Sequence, residues 1–404
     1  MTVNTKPLRW LNFAFLFEMQ SYLLPVTIFF YIENGLTVED YIFFQALSAI
    51  FYIVFGVPAG YIADHFSKKY ILILGFLFNI ARLLLWISFG GYWIVFTGEM
   101  FAVVVRLFTT GMSDSYLYEY LREKNNTKKT LGKYGEVSSF MSWGMAIAAL
   151  LSPFFYKWFG LYFLLYLELA LTSVGMLFLC LLPKTNVYNK QKYSIIEIKN
   201  AFLNLLKNDY LKRLIGLNII LYVTTAMFVS TFQPLMKISA VPVVLFGVIY
   251  FINHSLRGVF SRLAKKVFML MPLGNLLSCT SLVVLASFIL LIIAFKIENI
   301  QFTVITLVFV CVCIGLQLAN QIITITEIHK YVSASIRATS ISVFNMLCRG
   351  IGGVLLIGFK DISAEKGFSV GYLCFAIAFL IIVLFILGKY RVFYNNMAER
   401  KAIE

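Results

Sequence analysis

Residues 56–69 have the sequence GVPAGYIADHFSKK, which joins one apolar segment to a basic loop and the loop to the next apolar segment. Gly56 and Gly60 are four residues apart, so in a helix they would lie on one face and form a groove for close packing of another helix. Asp64 would lie where that helix leaves the apolar region, a place where a carboxylate can face the positive N-terminus of a neighbouring helix. The stretch therefore predicts two packed helices joined by a short polar loop.

The composition of the whole chain places these helices in a membrane. Of the 404 residues, 60% are hydrophobic and 13% are charged, whereas soluble domains have about 45–50% apolar and about 25% charged residues. The mean hydropathy of +0.85 agrees with this. All six cysteines lie inside apolar runs, which argues against a disulfide framework, and we expect neither a metal site nor a cofactor. The chain is predicted to be a polytopic membrane protein.

Apolar runs long enough to cross a bilayer, about 20 residues each, recur twelve times. After the sixth run comes a stretch rich in lysine and asparagine, in which apolar residues recur at the spacing of an amphipathic surface helix. The sequence thus predicts an N-terminal half at 1–182, a linker at 183–209, a C-terminal half at 210–390 and a tail at 391–404. The predicted spans are 8–33, 40–63, 70–90, 92–121, 134–156, 159–182, 210–237, 241–264, 269–296, 300–329, 336–359 and 368–390.

The basic residues distinguish the two sides of the membrane. Most lysines and arginines fall on the side that holds both termini and the linker, and the opposite side has only Lys157, Lys237, Lys296, Lys360 and Lys366. By the positive-inside rule the termini and the linker are cytoplasmic. We expect the protein in the cytoplasmic (inner) cell membrane. Topology thereby explains the net charge of +15, and no nucleic-acid partner is expected.

The glycine pair, the aspartate and the basic pair of residues 56–69 resemble the signature loop between the second and third helices of the major facilitator superfamily. The arrangement of six spans, a linker and six spans is similar to that family's along the whole chain. The resemblance implies an all-α membrane fold of twelve transmembrane helices in two six-helix halves, which moves a small molecule by alternating access. It also implies a cytoplasmic gate, in which the predicted residues are Gly60, Asp64, Lys68, Lys69 and Glu119.

The chain departs from the family pattern in three places. Ser67 occupies a position where glycine is usual, and Arg262 occurs in the second copy of the motif where the family would have aspartate. Span five lacks the Gly-Pro-containing antiporter motif. The serine is a mild change, the arginine predicts a weaker second gate, and the missing span-five motif counts against a drug–proton antiporter.

Polar residues recur at three- or four-residue spacing in spans one, four, seven, ten and eleven, which places them on one face of each helix. Such side chains are costly inside a bilayer and mark a pathway or a paired site. In the family that the chain resembles, spans one, four, seven and ten line the central cavity. The predicted cavity residues are Gln20, Tyr22, Arg106, Thr110, Asn218, Tyr222, Gln317, Asn320, Gln321, Asn345 and Arg349.

Proton coupling requires a carboxylate at membrane depth that can bind and release a proton. Glu18 and Asp114 lie on polar stripes and are predicted for this role, and Glu168 in span six is a further candidate. Our hypothesis from the helix faces is that Arg106 pairs with Glu18. Glu99, nearer the end of its span, is interpreted as an interfacial charge.

These features favour a secondary active transporter, expected to act as a monomer with a small molecule, protons and the lipid bilayer as its partners. The predicted activity is proton-coupled export of an amphipathic or drug-like compound. The alternative is a carrier for a small organic anion or metabolite, favoured by the arginines inside the spans. An enzyme is not expected, because the chain has three histidines and no nucleophile–base pair. The absence of a phosphate-binding loop excludes an ATP-driven pump.

Overall fold

The computed structural model describes residues 7–124, 130–184, 209–270, 273–331 and 337–403. The predicted surface helix of the linker lies almost entirely outside these residues. Within them the regular structure is helical, as the apolar runs predict. The helices are α1 (Leu8–Glu18), α2 (Thr27–Glu33), α3 (Val38–His65), α4 (Lys68–Ser88), α5 (Tyr92–Glu123), α6 (Thr130–Phe159), α7 (Leu161–Cys180), α8 (Asp209–Ile238), α9 (Val243–Leu270), α10 (Leu273–Ile297), α11 (Ile300–Tyr331), α12 (Arg337–Lys366) and α13 (Phe368–Ile403).

Ten of the described helices are long and apolar enough to cross a membrane, which confirms a multi-pass membrane protein. The predicted spans at 8–33 and 336–359 are not among these ten. The second of them falls in α12, whose sequence is more polar on average than those of the ten helices. α13 continues to Ile403, through the stretch that was predicted to be a tail.

The prediction of a continuous helix over 8–33 is wrong. α1 ends at Glu18, a 3₁₀ turn follows at Leu24–Val26, and α2 begins at Thr27. Pro25 lies in the turn; it has no N–H to donate, and its ring disfavours helical backbone at the residue before it. The first apolar run is therefore two short helices separated by irregular backbone.

The contacts divide the chain into two compact units. The first contains Met1–Lys192 and Pro242–Ser255, and the second contains Tyr193–Val241 and Leu256–Glu404. Residues 242–255 belong with the first unit because Gly247 lets α9 approach α6 closely. A Cβ atom at this glycine would lie only 2.3 Å from the carbonyl oxygen of Ala149.

In the first unit, α1 packs on α6 and α7, and α4 packs on α5 and α7. α3 begins with a capping box, in which the Thr37 hydroxyl accepts from the Asp40 N–H and the Asp40 carboxylate accepts from the Thr37 N–H. This pair fixes the first turn of the helix by satisfying N–H groups that have no partner within it. Trp86 of α4 is buried against Gly98 of α5, where any larger residue would meet the indole ring.

In the second unit, α8 packs on α11 and α12, and α10 packs on α11 and α13. The core between α8, α10, α12 and α13 is aromatic. The ring of Tyr372 lies within 6.4 Å, centroid to centroid, of the rings of Phe228, Phe288, Phe295 and Phe359. Its hydroxyl shares a hydrogen bond with Thr231, so the polar end of the tyrosine is also satisfied.

Replacing Gly144 of α6 with alanine is expected to lower the free energy of unfolding by about 1–3 kcal/mol. The new Cβ would lie 2.5 Å from the carbonyl oxygen of Leu16 in α1, and a backbone atom cannot move aside without separating the two helices. Gly358→Ala is the matched control, because no atom lies within 4 Å of its Cβ position. Thermal unfolding of the purified protein in detergent compares them, and equal melting temperatures would contradict the close packing of α1 on α6.

Candidate functional site

The break in the first apolar run leaves backbone groups without helical partners, and side chains from α6 and α7 satisfy them. The Leu23 N–H donates to Glu168 Oε1 over 2.6 Å, and the Ser21 hydroxyl donates to the same oxygen over 3.1 Å. The Ser152 hydroxyl donates to the Tyr22 carbonyl over 2.5 Å. Because a bilayer offers no water to such groups, these bonds are required for irregular backbone at this depth. Glu168 is therefore the main anchor of the break.

Arg82 of α4 supplies the positive charge beside Glu168. Its Nη2 lies 3.6 Å from Glu168 Oε2, and the Glu168 side chain is only 4% exposed. The Arg82 Nε donates to Asn79 Oδ1 over 2.9 Å, and the guanidinium lies 4.6 Å from the centroid of the Trp86 ring. Arg82 was not among the site residues predicted from the sequence. The available signal was a single arginine in the middle of an apolar span, which requires a counter-charge at that depth.

Glu18 is the second carboxyl of this cluster. It is the last residue of α1 and is buried, with Arg82 and Glu168 within electrostatic range. Among the described residues, its Oε2 atom has no hydrogen-bond partner. With both acids ionised, the three side chains carry one negative charge in excess, and one bound proton would remove it. Glu168 is committed to Leu23, Ser21 and Arg82, whereas Glu18 Oε2 has no such contact among the described residues.

Arg106 was expected beside Glu18, but the structure places Arg82 there. Arg106 instead lies within electrostatic range of Tyr31, whose hydroxyl donates to Glu99 Oε1 over 2.8 Å. Glu99 is buried at 6% exposure, so its interpretation as an interfacial charge is wrong. The reason is that Tyr31 of α2 covers the carboxylate and satisfies it by hydrogen bonding.

The predicted residues Gln20 and Tyr22 lie in the break itself. The Tyr22 hydroxyl donates to Gln20 Oε1 over 3.1 Å. Both residues are thus next to Glu18 in the chain, in the segment that Glu168 and Ser152 hold in place.

A small cavity of about 50 Å³, lined by both polar and apolar side chains, lies in the second unit. A water molecule needs about 10–15 Å³ by the same measure, so the cavity has room for a few waters or one small polar group. Four of the predicted cavity residues line it, together with Arg257, one of the arginines inside the spans that favour an anionic cargo. The lining residues are Asn218, Leu221, Tyr222, Thr225, Arg257, Ile314, Gln317, Leu318 and Gln321.

Hydrogen bonds between helices fix part of this lining. Gln317 of α11 donates to the Thr224 hydroxyl over 2.8 Å and accepts from the Thr225 hydroxyl, both on α8. Asn218 donates to the Leu214 carbonyl in its own helix. Asn320 is turned to Thr280, to which it donates over 2.6 Å, and it is not among the lining residues.

Arg349 of α12 is within electrostatic range of Arg257. The side chains of five other predicted residues lie outside the described part of the structure. They are Gly60, Asp64, Thr110, Asp114 and Asn345.

At the C-terminal end of the quoted motif, Lys68 Nζ lies 3.7 Å from Glu119 Oε1, so two of the predicted gate residues are in contact. Lys68 is buried at 7% exposure, unlike an ordinary surface lysine. Lys69 donates to the Cys180 carbonyl over 2.8 Å, so the basic pair contacts the ends of both α5 and α7.

Comparison with known proteins identifies the family. Residues 11–357 match the model described as Major Facilitator Superfamily. A relative named "Uncharacterized transporter BU466", from Buchnera aphidicola subsp. Acyrthosiphon pisum (strain APS), is 27% identical over 158 residues. The match covers 38% of this chain and 39% of the relative, so it spans well under half the length of that protein.

Solved structures share the fold at low sequence identity. The nucleoside transporter NupG has a TM-score of 0.76 at 16% identity, with 96% of this chain and 99% of that one covered. A POT family transporter in complex with 5-aminolevulinic acid has a TM-score of 0.74 at 14% identity, with 95% of both chains covered. These likenesses concern the fold alone.

Proposed function

Because the chain belongs to the major facilitator superfamily, we propose that it is a proton-coupled secondary transporter working by alternating access. It is a membrane-embedded transporter of small molecules and not an enzyme. The proposal includes twelve spans in two six-helix halves, 1–182 and 210–390, with cytoplasmic termini. We also propose that the protein acts as a monomer and lies in the cytoplasmic membrane.

The observation that carries proton coupling is the cluster of Glu18, Arg82 and Glu168 at the break. A buried carboxyl with a bare oxygen beside an ion pair changes the charge of the site by one unit when it binds a proton. A change of that size in a low-dielectric region alters the stability of the surrounding packing. Proton binding at Glu18 would therefore bias the conformation of the segment that contains Gln20 and Tyr22.

The Lys68–Glu119 contact supports the proposed cytoplasmic gate. A partly buried ion pair that ties α4 to α5 resists separation of these helix ends. In this role it would stabilise one conformation of the transport cycle, and its loss would shift the balance towards the other.

The positions of Glu18 and Glu168 do not determine which cargo the transporter carries. The sequence favours export of an amphipathic or drug-like compound, with a carrier for a small organic anion as the alternative. Proton binding at Glu18 serves export and uptake equally well. The cavity with Arg257 is the feature that favours the alternative.

Proton binding is tested without knowledge of the cargo by infrared difference spectroscopy of the purified protein during a pH change. A band of a protonated carboxyl group should appear in the wild type and be missing in Glu18→Gln, because the amide cannot take up the proton. Glu33→Gln, which alters an exposed acid at the end of α2, should keep the band. A full-size band in Glu18→Gln would overturn the assignment of the proton to Glu18.

A further inference from the structure

Among the described residues of the second unit, Arg257 is a positive charge at membrane depth. It lies in α9, inside the segment Val243–Phe260 that is apolar enough to cross a membrane, and it lines the cavity. No described residue forms an ion pair or a hydrogen bond with its guanidinium. A charge of this kind at membrane depth requires a carboxylate, water or an anionic ligand.

The described acidic residues of the second unit lie too near the ends of their helices to neutralise Arg257. Asp209 is the first residue of α8, and Glu298 follows the end of α10. Asp361 and Glu365 lie in the last two turns of α12, where Asp361 pairs with Lys360 over 3.2 Å. Each is near a helix end, whereas Arg257 is inside its span.

Among the described residues, the charged side chain within electrostatic range of Arg257 is Arg349, which does not supply the counter-charge. A guanidinium group in a region of low dielectric repels a cation and attracts an anion strongly. The cavity is therefore unsuited to an amphipathic cation.

The cavity also offers donors that the protein does not use. Tyr222 lies within electrostatic range of Arg257, and neither its hydroxyl nor the Gln321 amide bonds to any described residue. By contrast, Gln317 is held by Thr224 and Thr225 and serves as a fixed wall. A guanidinium, a phenol and an amide around one space match an oxyanion, since arginine binds carboxylate and phosphate through two parallel hydrogen bonds.

We propose that this cavity is the anion subsite of the transporter, and that its cargo is a small organic anion whose carboxylate or phosphate group binds Arg257, Tyr222 and Gln321. The inference rests on the proposed transport function and specifies its substrate class. Leu221, Ile314 and Leu318 supply an apolar wall for the carbon skeleton. A cavity of about 50 Å³ holds the charged group alone, so the rest of the cargo would extend beyond it.

Thermal unfolding of the purified full-length protein tests the subsite, because a ligand that binds the folded state raises its apparent stability. The probes are acetate, succinate, inorganic phosphate and glycerol phosphate, with succinamide as a neutral analogue and tetraphenylphosphonium as an amphipathic cation. An anion should raise the melting temperature and succinamide should not. Stabilisation by the carboxylates alone would identify a carboxylate as the bound group, and stabilisation by the phosphates alone would identify a phosphate.

Arg257→Gln should weaken anion binding by at least about 30-fold, since it removes one partner of a buried charge contact. Arg257→Lys keeps the charge but loses the paired geometry and should be intermediate. Tyr222→Phe should weaken binding by up to about tenfold and leaves the volume unchanged. Lys237→Gln, at an exposed position at the end of α8, is the matched control and should bind as the wild type does.

Equal stabilisation of Arg257→Gln and the wild type, or stabilisation by tetraphenylphosphonium and not by anions, would overturn the proposal. Should Arg257→Gln fail to fold, as judged by its elution in size-exclusion chromatography, Tyr222→Phe decides the question. Failure of the proton proposal gives a different pattern. Anion binding would remain intact and sensitive to Arg257, while the carboxyl band would persist in Glu18→Gln.

Discussion

Replacing Glu168 with leucine is expected to lower the free energy of unfolding by about 3–5 kcal/mol, the usual cost of removing one partner of a buried ion pair. The substitution leaves the Arg82 guanidinium without its carboxylate and the Leu23 N–H without its acceptor. Arg82 cannot turn to water, because it packs on Trp86 and Asn79. Thermal or denaturant unfolding in detergent measures the effect.

A double-mutant cycle separates the ion pair from the anchor of the break. Arg82→Leu combined with Glu168→Leu should recover part of the loss, since no buried charge is left unpaired. It should not recover all of it, because the Leu23 N–H and the Ser21 hydroxyl still lack an acceptor. A double variant as stable as the wild type would show that the break needs no anchor.

Replacing Glu18 with glutamine is expected to abolish accumulation driven by a pH gradient while leaving exchange of cargo across the membrane intact. A difference of one pH unit stores about 1.4 kcal/mol per proton, which corresponds to a tenfold concentration ratio of cargo. A variant that cannot bind the proton should lose that ratio. It should still exchange labelled for unlabelled cargo, because exchange requires no net proton movement.

Proteoliposomes loaded with the anion that best stabilises the protein allow both measurements. Glu33→Gln is the control and should accumulate cargo as the wild type does. A Glu18→Gln variant that still concentrates cargo in response to the gradient would contradict the role of Glu18. A variant that loses exchange as well would show that Glu18 acts in cargo binding rather than in coupling.

The membrane class and the helices are predicted well from the sequence. Composition and the length of apolar runs can be read from the sequence without knowledge of how the helices pack. The family resemblance at residues 56–69 also groups Lys68 with Glu119 among the predicted gate residues, and the two side chains are in contact. The break at residues 19–26 is not predicted. Its residues are nearly as apolar as the flanking helices, and a proline in a membrane helix often causes only a kink.

The ion pair of Arg82 and Glu168 could not be derived from helix faces. The two residues lie in α4 and α7, and their meeting depends on how each helix is rotated about its axis. Periodicity gives the face of a helix but not the neighbour that this face meets. The same uncertainty led to the hypothesis of Arg106 beside Glu18, and it left Arg257 out of the predicted cavity.

We propose that this transporter moves protons with its cargo through Glu18, and the movement of protons can itself be measured. Proteoliposomes that contain a pH-sensitive dye, prepared with equal pH on both sides, are given an inward gradient of the stabilising anion. We predict that the lumenal pH changes in the wild type and in Glu33→Gln, and that it stays constant in Glu18→Gln. Downhill movement of the anion into wild-type proteoliposomes with no change in lumenal pH would show that cargo moves without protons.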